Sequence, residues 1–191
     1  MKPIQRRKFI KKSAYTAGGM FMAPAFIKNF VKNAPNDRVN IALAGISGDR
    51  PSVRGMIPGR GKAHINGYAK VPNAIITTLC DVDERLFPAT VDQVETLYGA
   101  RPKTEPDFRK LLDDKDIDVI SIATPDHWHA LHTIWACQAG KDVYVEKPIC
   151  HNLSEGRKMV EAVNKYSRIV QSGICYRSSQ AVKDYDFVVR N

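Results

Sequence analysis

The chain has 191 residues, enough for one well-cored domain and a short appendage, and it carries a formal net charge of +9. That charge suggests a nucleic-acid binder until it is located: residues 1–32 hold eight Lys or Arg and no acid, leaving 21 basic against 20 acidic residues in the rest. A basic leader on a near-neutral body is an address, not a phosphate-binding surface, so nucleic acid is excluded as the expected partner.

The leader reads in three parts. Residues 5–12, "QRRKFIKK", are charged, residues 13–27, "SAYTAGGMFMAPAFI", are mildly apolar, and Ala23-Pro24-Ala25 offers a small-x-small cleavage site. The apolar part is too short for a permanent membrane span. Arg6-Arg7-Lys8-Phe9-Ile10-Lys11 resembles a twin-arginine export signal, with Gln5 where Ser or Thr is usual. The expectation is export through that machinery, to the periplasm, with a disordered basic tail as the alternative. Export signal and linker take residues 1–37, ending in "NAPND".

From Val39 onward, short β-rich runs alternate with helical patterns. The candidate strands are 39–45, 74–80, 118–124, 142–146 and 168–173; the helical stretches lie near 62–71, 83–98, 105–113, 127–139 and 153–166. Asp83 and Ser154 read as helix caps, Gly99 and Gly140 as stops. Nearly continuous apolar strands alternating with helices predict a doubly wound parallel α/β domain, a dinucleotide-binding Rossmann fold over residues 38–175.

The first strand ends at Gly45, where such a domain needs a glycine-rich turn that lets backbone N–H groups approach a pyrophosphate. The fingerprint is interrupted. Gly45-Ile46 and Gly59-Arg60-Gly61 read as two halves of one loop with residues 47–58 inserted, and an inert polar loop is the bland alternative. The second strand ends at Asp81, whose carboxylate can accept both hydroxyls of an adenosine ribose. Gly45 and Asp81 are 36 positions apart, and removing the 12 inserted residues leaves 24, close to the usual spacing. Asp81 would repel a 2′-phosphate, favouring NAD over NADP.

The next strand runs into "TPDHWHALH". His127 and His129 diverge in direction, and no acid or Cys completes a site, so no metal is expected. Cys80 and Cys137 sit in apolar patterns as small hydrophobes, and the four cysteines form no CxxC. The strand "DVYVE" then delivers Glu146, Lys147 and Pro148 to the sheet's carboxyl edge. A lysine partly desolvated beside a cationic nicotinamide can serve as acid or base near neutral pH. Glu146 is expected to orient its amine, and Pro148 to force a sharp exit. A surface Glu–Lys pair is the competing reading.

These pieces resemble the Gfo/Idh/MocA oxidoreductases, most specifically in residues 118–129, "DVISIATPDHWH", and 140–148, "GKDVYVEKP", with support from "TLCDVD" and "GICYR". The resemblance runs from about Val39 to the end. It implies that Lys147 assists proton transfer, that Glu146 lies near the nicotinamide, that Thr124, Pro125 and His129 border the cofactor, and that Arg177 lines the cleft between cofactor and substrate. It implies NAD as cofactor, with NADP as the alternative, and a sugar, cyclitol or related hydroxy compound as substrate. Residues 176–191 read as the start of a truncated region. The family's substrate domain is expected to be absent from this chain, which alone would be inactive and would form a homo-oligomer only with that domain. Two other functions remain open: an NAD-dependent glycosidase of the same superfamily, and a non-catalytic nucleotide-binding remnant.

Overall fold

The structure, a computed structural model, describes residues 38–46, 50–52, 55–57 and 59–174. Chain contacts divide the molecule into two units, Met1–Arg38 and Val39–Asn191. The elements below all belong to the second.

Six parallel strands form the main sheet. In chain order they are β1 (Val39–Ala44), β4 (Ala74–Cys80), β5 (Lys103–Glu105), β6 (Val119–Ile122), β7 (Asp142–Glu146) and β8 (Val170–Gly173). Their spatial order is β5-β4-β1-β6-β7-β8. Two short strands, β2 (Arg50–Ser52) and β3 (Gly55–Ile57), pair antiparallel with each other, apart from the main sheet. The helices are α1 (Arg60–Tyr68), α2 (Phe87–Tyr98), α3 (Phe108–Asp113), α4 (Asp126–Gln138) and α5 (Leu153–Tyr166). Among the described residues, no helix is long and apolar enough to cross a membrane.

The central strands β1, β4 and β6 are largely apolar because both faces of the sheet are covered there. On β1, side chains alternate sides: Ile41 and Leu43 join the core built with Ile65 of α1 and Val91 and Val94 of α2. Ala42 and Ala44 join the opposite core, with Leu111 of α3, Ala136 of α4 and Met159 of α5. Each fully buried aliphatic such as Leu43 contributes about 2 kcal/mol.

Some boundaries differ from the sequence reading for local reasons. Helix α5 is capped by Asn152, not Ser154, because the Asn152 side chain accepts the Glu155 N–H at 2.9 Å. Strand β5 was not foreseen, since its three residues are Lys, Thr and Glu on a sheet edge. Asp83 caps a short 3-10 turn through the Arg85 N–H, and Gly99 ends α2 in the left-handed region. Lys141, only 7% exposed, donates from Nζ to Asp114 O at 2.6 Å and Ile117 O at 2.9 Å. It thereby closes the turn that leads from α3 into β6. Cys80 and Cys137 are buried free thiols, and burial pushes Cys80 up to about 12.

Candidate functional site

All six main strands end on one rim, and the chain reverses its direction of travel between β1 and β6. From β1 it steps outward to β4 and β5; from β6 it steps the other way to β7 and β8. Ligands of open α/β sheets sit in the crevice at such a switch point. Here three backbones converge on it. Gly45 has φ +87°, and a Cβ on it would stand 2.5 Å from Thr124 N. A Cβ on Gly61, in the first turn of α1, would collide with the carbonyl oxygens of Gly45 and Ile46. The two glycine segments therefore meet as halves of one turn, with Gly59 as the N-cap residue of α1.

Asp81 stands at the tip of β4. Its Oδ2 accepts the Ile46 N–H at 2.8 Å and its Oδ1 accepts the Asp83 N–H at 3.0 Å. Ile46 is thus placed differently from its expected role: its N–H is committed to Asp81, and its side chain is fully buried in the core. Asp81 borders a cavity of about 500 Å³, walled by Gly45, Val82, Phe108, Trp128 and His132. Val82 is 89% exposed, an apolar lip at the mouth.

A second cavity, of about 460 Å³, is walled by Arg60, His129, Glu146, Lys147 and Pro148. Thr124 and Pro125 line both cavities, so the two adjoin across the end of β6. Lys147 is exposed on this rim, where β7 ends, and the peptide bond that follows it into Pro148 is cis.

Glu146 corrects the expectation that it orients the Lys147 amine. It is 2% exposed, and its Oε1 accepts from Arg60 Nη2 at 2.8 Å, Arg60 Nε at 3.1 Å and His64 Nε2 at 2.9 Å. Among the described residues, its Oε2 accepts only the backbone N–H of Lys147, at 3.2 Å. A guanidinium and an imidazole presented by α1 hold the carboxylate inward; the exposed amine lies outside that grip. Burial favours the protonated acid, yet the Arg60 and His64 hydrogen bonds outweigh it and hold the carboxyl below its ordinary value.

The network continues inward. Because His64 Nε2 donates to the carboxylate, its Nδ1 accepts from Ser121 Oγ at 2.9 Å, and Ser121 accepts in turn from the Tyr68 hydroxyl at 3.0 Å. Burial holds His64 below its ordinary value despite Glu146, and pushes Tyr68 up to about 12. Ser121, His64 and Glu146 share the hydrogen-bond order of a hydrolytic triad, but Ser121 is fully buried and no substrate reaches it. The network is structural.

The three histidines of α4 separate. His127 is exposed. His129 is 2% exposed, with Nδ1 2.6 Å from Pro148 O and Nε2 2.7 Å from Thr124 O, so it fastens the turn after β7 to the end of β6. His132 packs face to face with Phe108. Among the described residues, no three His, Cys, Asp or Glu side chains gather as a metal site. Arg177 and the export motif lie outside the described residues. Sequence reasoning missed His64, Ser121, Tyr68 and His132. The available signal was helical spacing: Arg60 and His64, like Trp128 and His132, are four apart on one helix face.

Residues 54–174 match the model of an oxidoreductase family with an NAD-binding Rossmann fold, GFO_IDH_MocA. A levoglucosan dehydrogenase from Pseudarthrobacter phenanthrenivorans is 34% identical over 126 residues, covering 64% of this chain and 32% of that protein. A glycosyl hydrolase family 109 protein from Shewanella sp. is 25% identical over 174 residues, covering 86% of this chain and 38% of that protein. The chain thus spans about a third to two fifths of the length of these relatives. The crystal structure of a myo-inositol 2-dehydrogenase from Lactobacillus plantarum shares the fold, with TM-score 0.68 and 21% identity over 81% of this chain and 41% of that one.

Proposed function

The chain belongs to the Gfo/Idh/MocA oxidoreductase family, NAD-binding by its Rossmann fold, and on that premise we propose that it is the cofactor-binding part of an NAD-dependent dehydrogenase acting on a sugar, cyclitol or related hydroxy compound. The observation that carries this reading is one rim: Asp81 at the tip of β4 and Lys147 at the tip of β7 border adjoining cavities on either side of the Gly45–Thr124 contact. The glycine turn fits a dinucleotide-binding crossing, since a Cβ at Gly45 would collide with the backbone at Ala123 and Thr124 and one at Gly61 with that of Gly45 and Ile46, so glycine alone lets β1, α1 and the end of β6 approach this closely.

Gly59, Arg60 and Gly61 would hold the pyrophosphate at the start of α1. Asp81 would take the ribose hydroxyls and disfavour NADP, while Thr124 and Pro125 support the nicotinamide end. Glu146 and His129 act at one remove, the first by fixing Arg60, the second by fastening the two rim turns. NAD supplies the hydride acceptor. Lys147 Nζ, as the neutral amine, would take the proton of the substrate hydroxyl and return it in the reverse direction. Arg177 is assigned to the cleft by family resemblance alone. The leader, read as a twin-arginine signal, sends the folded chain out with its cofactor bound.

The glycosyl hydrolase relative supports a second reading, in which NAD oxidises a sugar only transiently and an aglycone is eliminated. By family resemblance such glycosidases often lack the lysine of Glu-Lys-Pro, so Lys147 favours the dehydrogenase. Titration of the purified chain with NADH, followed by nicotinamide fluorescence, tests the common core; absence of binding removes both readings. Aglycone release without net NADH would select the second.

A further inference from the structure

The cavity beside Asp81 contains a polar group that the proposed function leaves without a task. His132 is 6% exposed, its ring clamped between Phe108, with centroids 3.8 Å apart and planes 7° apart, and Trp128, at 5.2 Å and 18°. Its Nδ1 is buried with no hydrogen-bond partner among the described residues. Burial, aided by the neighbouring His129, pushes its pKa down to about 4, so the ring is neutral at physiological pH.

A neutral imidazole carries one N–H and one lone pair. An orphaned buried N–H is rarer and costlier than an under-satisfied acceptor, so the buried Nδ1 is the lone pair and the proton sits on Nε2. Nε2 is not among the buried orphan atoms and has no protein partner among the described residues. It belongs to a ring that lines the cavity, held in direction by an aromatic neighbour on each face. Around it the walls are apolar, with Val82, Phe108, Trp128 and Pro125, and Asp81 stands at the rim. A flat heteroaromatic ring with an in-plane acceptor nitrogen, joined to a sugar diol, matches that arrangement.

We propose that His132 is a specificity-determining residue whose Nε2–H donates to a ring nitrogen of the adenine base of the dinucleotide. The inference rests on the proposed function, which places the adenosine ribose at Asp81. It assigns base selection to a side chain on α4, not to the glycine turn.

The test compares the purified chain with its His132→Phe and His132→Gln variants by titration with NADH, ADP-ribose and reduced nicotinamide mononucleotide. Phe keeps the aromatic clamp and removes the donor. NADH and ADP-ribose should bind about tenfold more weakly to His132→Phe, one hydrogen bond's worth, with the mononucleotide within about twofold. His132→Gln, which retains an N–H, should recover part of the loss. Equal NADH affinity in His132→Phe overturns the inference and leaves the proposed function standing; an equal loss for the mononucleotide overturns it too, since the effect is then not at the base. Failure of the unsubstituted chain to bind NADH sinks the proposed function with it. Should His132→Phe fail to fold, the imidazole Nε2–H proton resonance of the unsubstituted chain must move with ADP-ribose and not with the mononucleotide; no movement overturns the assignment.

Discussion

Arg60 and Glu146, 86 positions apart in sequence, meet at 2.8 Å and join the first turn of α1 to the end of β7. The carboxylate side chain is 3% exposed and the guanidinium 38%. Helix α1 and the strand that delivers Lys147 are therefore one mechanical unit. Arg60→Met should cost about 1–2 kcal/mol in urea unfolding, reduced from a fully buried pair because solvent reaches Arg60. NADH affinity should fall in the same variant. Unchanged stability would mean that His64 alone holds Glu146.

Lys147→Met removes an exposed amine with no structural partner among the described residues. In the active enzyme, turnover should fall about 10²- to 10⁴-fold, while NADH affinity stays within about threefold and the melting temperature is unchanged. Turnover retained within a factor of two would remove Lys147 from proton transfer.

Asp81→Asn keeps an oxygen for the Ile46 N–H and removes the negative charge. The preference for NADH over NADPH should narrow by about tenfold, read from paired titrations. A ratio that does not move would place the ribose elsewhere.

Gly61→Ala drives a methyl into the carbonyls of Gly45 and Ile46. Backbone must shift to relieve it, so a loss of about 2–3 kcal/mol and weakened NADH binding are expected. A variant as stable as the parent would show that α1 is free to back away from β1.

His132 gives a pH signature. Its folded pKa, about 4, lies below the ordinary 6.5, so the unfolded chain binds the proton first. That contribution is complete above pH 6.5 and is lost as pH falls towards 4. The parent should lose up to about 3 kcal/mol more than His132→Phe across that window, measured by denaturant unfolding at each pH. Glu146, held low, adds a separate loss at more acidic pH: it stabilises above the ordinary carboxyl value and ceases to as pH falls through its depressed one.

The sheet was legible because its central strands are buried on both faces and read as largely apolar runs, and the places of Gly45 and Asp81 at strand ends followed from where those runs stop. Strand β5 escaped because an edge strand of Lys, Thr and Glu has no apolar signature. Glu146 was assigned to its sequence neighbour Lys147, whereas its partners are Arg60 and His64 on a distant helix. Adjacency along a strand end says little, since successive side chains point apart. His132 escaped for a related reason. A histidine beside two other histidines suggests ligation, and only the packing of Phe108 and Trp128 turns it towards a cavity.

The interruption between Ile46 and Gly59 has a practical use once Gly45 and Gly61 are seen in contact. Extra chain placed between them forms a ribbon that pairs with itself and leaves the six-stranded sheet unaltered. Lengthening a loop whose ends are already pinned adds little entropic penalty. A fluorescent domain grafted at this point would be tied to the turn where Gly45 and Gly61 meet, and a change in its emission on adding NADH would make that turn an optical reporter.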